Sequence, residues 1–311
     1  MDADDKTLTI VYQFGKVAST SLVKTLQTNA ALDVHQSHFL GESALQRIVP
    51  IAVDKATNAY FQGHLSGQLL SNLELTYRMN RVLGGEGDAR LKVISLSREP
   101  LDWLRSGILQ DMVGYRPDLL AFGTAQGAPQ GDEDDALCWA LEAVMSRIIE
   151  VIEIKGGFPN VIAEFNEKGG RGMLSPIGVD LAPIVHKLFF LALRPHTWFE
   201  EHFRLCFGFG PEAFDARDGI WVLHQPRADF AILRYEDLET RVNDAFGLLK
   251  LGVKGPLLRE NVSRSKPGSD VVRAAFSAPV ADALRCHLRS SDYAEHFGYG
   301  RAVEWPKDAA E

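Results

Sequence analysis

Residues 11–22 read VYQFGKVASTSL. An apolar run stops at Gly15, Lys16 follows, and Ser19, Thr20 and Ser21 lead into a helical pattern. A strand that feeds a turn and then a helix start gathers backbone N–H groups and the positive end of the helix dipole at one point. That is the chemistry of anion binding. Lys16 adds a mobile cation, the three hydroxyls add donors, and Gly15 permits a sharp turn. The order of parts differs from the Walker loop G-x-x-x-x-G-K-[ST], in which the hydroxyl beside the lysine holds magnesium. Here Val17 follows Lys16, and no glycine stands at the required distance before it. A kinase or NTPase is therefore disfavoured. The same stretch also fits a plain strand–turn–helix with a capping serine.

Residues 93–108, VISLSREPLDWLRSGI, repeat the logic. A buried strand ends at Arg98, and Pro100 suits the first turn of a helix, where its missing N–H is not needed. Arg98 would emerge at the carboxyl end of the sheet, where open α/β folds bind ligands. Ser106 lies about two turns along that helix. A guanidinium fork and a hydroxyl can converge on one phosphate. Pairing of Arg98 with Glu99 or Asp102 is the other reading of the same spacing.

Taken together and in order, K-V-A-S-T-S after a first strand and R-x-P-x-D-x-x-x-S after a later one resemble the PAPS-dependent sulfotransferases, PAPS being 3′-phosphoadenosine 5′-phosphosulfate. LRYEDL (233–238) resembles that family's later strand end, and NVSRSKPGSD (261–270) its C-terminal basic loop. The carbohydrate branch is the most similar, in particular the heparan 2-O-sulfotransferases. These carry a lysine followed by T-A-S-T-S-F and a downstream G-H-V-S, where this chain has K-V-A-S-T-S-L and FQGHLS (61–66). Bacterial capsular-polysaccharide sulfotransferases are similar as well. The motifs run from residue 8 to about residue 300, with long unmatched stretches between 110 and 228.

The resemblance implies roles. Lys16 would contact the oxygen that bridges phosphate and sulfate, where charge grows as the sulfuryl group departs. The backbone from Gly15 through Val17 and Ala18, with Ser19, Thr20 and Ser21, would hold the 5′-phosphate. Arg98 and Ser106 would hold the 3′-phosphate, joined by Arg264, Lys266 and the Gly268 backbone, and Tyr235 would contact the adenine. The product would be adenosine 3′,5′-bisphosphate (PAP), and the acceptor a hydroxyl of a carbohydrate or other glycosylated small molecule. His64 is the expected base, since an imidazole suits proton removal at neutral pH. Relatives carry a second histidine two residues earlier, and this chain has Gln62 there. His35 and His38 are the alternates. Asp102 reads as a first-turn helix acid, and Glu236–Asp237 as a strand-end and cap pair. No metal is expected. An atypical P-loop kinase and a non-catalytic nucleotide- or glycan-binding protein of the same fold are the competing readings.

The elements that would position these residues are legible as patterns. LTIVYQF (8–14), LKVISLS (91–97) and DFAILRY (229–235) are nearly all apolar, as buried parallel strands are. Helical patterns separate them, which predicts an α/β fold: a P-loop-like three-layer sandwich with a central parallel sheet. Residues 115–135 have loop composition, and Asp134 or Asp135 is expected to cap the next helix. That helix places Leu137, Leu141, Met145, Ile148, Ile149 and Ile152 on one stripe. The expectation is a single domain over 1–311, with 111–227 as a helical and loop insertion that binds the acceptor.

With 33 basic against 41 acidic residues the net charge is −8, which argues against nucleic acid as the main partner. MDADDKTLTI lacks a basic start and an apolar run, and LAPIVHKLFFLALRP is interrupted by His186 and Lys187. Neither a secretory signal nor a membrane span is expected, so the location predicted is cytoplasmic. Cys138, Cys206 and Cys286 show no metal or disulfide spacing and read as reduced, buried thiols.

Overall fold

The computed structural model describes residues 6–15, 17–42, 45–46, 49, 64–87, 90–168, 181–258 and 266–300, with the backbone alone at 64–68. The chain forms two compact units, Met1–Arg98 with Trp198–Asn261 and Glu99–Thr197 with Val262–Glu311.

The first unit is built on a six-stranded sheet. Its strands are β1 (Thr7–Tyr12), β2 (Leu32–Ser37), β3 (Leu91–Ser97), β4 (Asp215–Arg217), β5 (Ile220–His224) and β6 (Ala228–Arg234). They lie in the order β2-β1-β3-β6-β5-β4. The first four are mutually parallel. β5 and β4 then join antiparallel, so the sheet is mixed rather than wholly parallel. The reason is local. Residues 225–227 are too few for a crossover, and a short turn joins only antiparallel strands. The three expected apolar strands are β1, β3 and β6, and β3 is buried along its whole length. Helices Ser19–Leu26 and His64–Leu83 precede β2 and β3, and Leu238–Leu248 follows β6.

Aromatic side chains fill the space beside β1. The Tyr12 and Trp198 rings meet edge to face at 4.8 Å, and Phe14 lies 5.8 Å from Trp198. Trp198 leads into a π-helical turn, Phe199–Arg204, whose wider winding is uncommon and recurs at functional sites. Phe203, on that turn, sits 6.0 Å from Tyr12 and 6.1 Å from Phe230 of β6.

The second unit is helical. Helices Pro100–Ala125, Glu133–Ile154, Phe158–Lys168 and Pro183–Trp198, the last up to Thr197, combine with Ser269–Ala275, Pro279–Leu288 and Asp292–His296. Leu137, Leu141, Met145, Ile148 and Ile152 are buried as the stripe predicts, and Ile149 packs at its edge. Two local expectations are corrected. Residues 115–125 are helix, not loop. Tyr115, Leu119 and Phe122 are buried in the core, and that burial outweighs the glycine and proline content, with Pro117 inside the helix and Asp111 at non-helical angles. Asp132, not Asp134 or Asp135, caps the next helix, accepting from the Asp134 N–H at 2.7 Å. No helix among the described residues is long and apolar enough to cross a membrane.

Candidate functional site

The turn after β1 is set by backbone geometry. Gly15 has φ +86° and Ala18 φ +59°, both left-handed. Ala18 is the N-cap of helix Ser19–Leu26, and no side-chain cap bond is made there among the described residues. The capping-serine reading therefore does not describe this turn. Ser19 is the first helical residue, and uncapped first-turn N–H groups are the donors that an anion satisfies. Val17, Ser19 and Ser21 are buried, whereas Gly15 and Thr20 are half-buried. Lys16 lies outside the described residues. Further along the helix, Thr25 Oγ1 accepts from the Leu258 N–H at 2.9 Å.

Gln13 was not singled out by sequence, yet it organises this turn. Its N–H continues the ladder to Ser37 O at 3.2 Å. Its side-chain oxygen accepts from the Gly15 N–H, which fixes the orientation of the amide. Its Nε2 is buried and has no hydrogen-bond partner among the described residues. The available signal was a polar residue closing an apolar run just before Phe14-Gly15.

His38 and His35 follow one another on the β2 edge but differ in surroundings. His38 Nδ1 lies 2.7 Å from Gln13 O, and Gln36 Nε2 stands 3.4 Å from His38 Nε2. A Cβ on Gly15 would sit 3.9 Å from His38 Cε1, so the ring lies against the turn. His35 Nε2 is instead 2.9 Å from Asp33 Oδ1 and 3.2 Å from Arg78 Nη1, inside an ion-paired cluster. Burial disfavours the charged form of Asp33. The hydrogen bonds from Arg78 and His35 outweigh it and hold its carboxyl below the usual range. His64 opens helix His64–Leu83, and its side chain lies outside the described residues.

Arg98 follows β3 and is buried, at 9% exposure. Its guanidinium carbon lies 4.2 Å from the Tyr235 ring centroid. The two residues extend the β3–β6 ladder, whose last pair is Ser97↔Arg234. The acids set against Arg98 have other partners within the second unit. Glu99 caps helix Pro100–Ala125 through the Asp102 N–H at 2.8 Å and accepts from Arg289 Nε at 3.1 Å. Asp102 is the expected first-turn acid and pairs with Arg105 at 3.2 Å. Asp237 is the N-cap of Leu238–Leu248 without a side-chain cap bond, because its carboxylate accepts from Arg234 Nε at 2.6 Å.

The remaining predicted residues lie in the second unit. Ser106 is half-buried on helix Pro100–Ala125. Gly268 has φ +76° and is the N-cap of Ser269–Ala275, and a Cβ there would come within 2.9 Å of Met112 Cγ. Lys266 O accepts from the Ser269 N–H at 3.2 Å. Arg264 lies outside the described residues. Within the first unit, then, the turn at Gly15–Ser21, His38, Arg98 and Tyr235 all lie at the carboxyl ends of β1, β2, β3 and β6.

The opposite end of the sheet carries a satisfied charge cluster. Asp229 accepts from Lys92 Nζ at 2.6 Å, Arg90 Nη2 at 2.8 Å and His224 Nδ1 at 2.7 Å. Burial works against its charge. The hydrogen bonds from Arg90, Lys92 and His224 prevail and hold its carboxyl far below the usual range. Among the described residues no group of three His, Cys, Asp or Glu could hold a metal. The three thiols are free, but none is fully buried as expected: Cys138 and Cys206 are half-buried and Cys286 is exposed. Burial pushes the Cys206 thiol up to about 12. Comparison with protein-family models, with curated proteins and with solved structures finds no match to this chain.

Proposed function

We propose that this protein transfers a sulfuryl group from PAPS to a hydroxyl of a carbohydrate or other glycosylated acceptor. One observation carries the reading. Two elements of the kind that bind anions stand at the carboxyl ends of adjacent parallel strands, the turn into helix Ser19–Leu26 after β1, with Ala18 rather than a capping side chain at its N-cap, and Arg98 after β3. A donor with phosphates at both the 3′ and the 5′ position of its ribose needs two such elements. A buried Gln13 Nε2 without a hydrogen-bond partner among the described residues fits the same reading, because an anion oxygen would satisfy it.

The turn is then a P-loop-like cradle. The Gly15–Ala18 backbone with Ser19, Thr20 and Ser21 would hold the 5′-phosphate, and Lys16 would stand at the bridging oxygen. Arg98 would hold the 3′-phosphate. PAPS supplies the sulfuryl group, and the chain must supply a base for the acceptor hydroxyl. His64 and His38 are the candidates, and His38 lies against the turn. His35 is engaged by Asp33 and Arg78.

The test is calorimetry with adenosine 3′,5′-bisphosphate in the presence of EDTA. Saturable one-to-one binding without magnesium is expected. Absence of binding by a folded sample removes the reading, and binding only of ATP with magnesium replaces it with a kinase.

A further inference from the structure

We infer that Tyr235 is a positioning residue, which holds the Arg98 guanidinium at the carboxyl edge of the sheet for the 3′-phosphate of the ligand. The inference rests on the sulfotransferase reading above and reassigns Tyr235 from the adenine. β3 and β6 pair in parallel up to Ser97↔Arg234, so Arg98 and Tyr235 leave the ladder side by side. The guanidinium carbon sits 4.2 Å from the ring centroid, well inside the ~6 Å reach of a cation–π contact. Arg98 is largely removed from water, and there the attraction is stronger than at an exposed site. One face of the ring is thereby taken by the guanidinium.

Tyr235 is itself held. It begins a 3-10 turn, Tyr235–Asp237, that Arg234 closes by donating from Nε to Asp237 Oδ2 at 2.6 Å. Asp237 in turn starts helix Leu238–Leu248. The backbone that carries the ring is therefore anchored to the sheet on one side and to a helix on the other. An arginine side chain has several rotatable bonds, and ordering it at the moment of binding lowers affinity. A ring that orders it beforehand removes that loss. The aromatic face is the working part, and the hydroxyl is not needed.

Two ligands separate the roles. Adenosine 3′,5′-bisphosphate and adenosine 5′-monophosphate differ only in the 3′-phosphate. Calorimetry on the full chain should show that Tyr235→Leu weakens the bisphosphate roughly tenfold and the monophosphate less than about twofold. Tyr235→Phe should restore most of the bisphosphate affinity. Equal losses for both ligands would mean that Tyr235 touches the nucleoside, and no loss for either would remove its role; each overturns the inference. A loss in Tyr235→Phe as large as in Tyr235→Leu would shift the role to the hydroxyl and overturn it too. If Tyr235→Leu does not fold, Tyr235→Gln is read in the same way, since the site is half-buried. Failure of the unaltered protein to bind the bisphosphate removes the parent reading. Binding by the unaltered protein with unchanged variants removes only the Tyr235 assignment.

Discussion

His38 Nδ1 lies 2.7 Å from the carbonyl oxygen of Gln13. A carbonyl only accepts, so Nδ1 carries the hydrogen and Nε2 the lone pair in the neutral ring. The backbone just after β1 thus sets the tautomer of a histidine just after the neighbouring strand, beside the turn that follows β1. That is the arrangement a general base needs, with one nitrogen held and the other basic.

His38→Gln should lower the release of adenosine 3′,5′-bisphosphate from PAPS by about 10²–10⁴-fold, the usual contribution of a general base. His64→Gln is measured beside it. Wild-type turnover in His38→Gln, with loss in His64→Gln, would assign the proton to His64.

Asp229 pairs with Lys92 and Arg90 and also meets His224 at the amino ends of β3 and β6, and both it and Lys92 are buried. Asp229→Asn leaves that lysine without its counter-charge, and breaking a buried pair costs about 3–5 kcal/mol. Urea denaturation at neutral pH should show a loss of that order. The pH dependence has a definite sign. The folded pKa is depressed, so the stabilisation is complete above the unfolded value of about 3.9 and fades as pH falls toward the folded value. The variant should lack this acid sensitivity.

His196 in the second unit is buried between Phe158 and Tyr293, with Nδ1 2.8 Å from Ser291 Oγ. Its Nε2 has no hydrogen-bond partner among the described residues. Burial pushes its pKa down to about 3. Below about pH 6.5 the unfolded chain binds a proton that the folded one refuses. Stability should therefore fall on acidification from 6.5 toward 3, by at most about 1.4 kcal/mol per pH unit from this group. Denaturation midpoints taken across that window should show the slope, and His196→Phe should flatten it.

Which parts were legible follows from what each residue had to satisfy. β1, β3 and β6 are covered on both faces, so their residues are apolar in sequence and easily read. β2, at the sheet edge, mixes Asp33, His35 and Gln36 with Leu32 and Val34, and three-residue β4 is fully exposed. Such strands carry no apolar run to find. Residues 115–125 hid their helix behind Gly114, Pro117 and Gly123, because tertiary burial decided the matter and local propensity did not.

In the site, Arg98 and Tyr235 could each be named from motifs, yet their contact depends on the β3–β6 register, which no local spacing encodes. The Gln13 amide depends on the left-handed Gly15, and its role emerges only once the chain has turned back on itself.

The order of segments in the two units has a consequence for synthesis. A nascent chain that has reached Asn261 contains every residue of the sheet unit. The helical unit at that stage still lacks Val271, Val272, Phe276, Leu284 and Leu288, all buried members of its core. Domains tend to fold as soon as they are complete during translation. The sheet unit can therefore be finished on the ribosome, while residues 99–197, made in the middle of the chain, wait with an open apolar face for the last helices to emerge. A holding chaperone would meet this protein through that helical middle, and not through the strands.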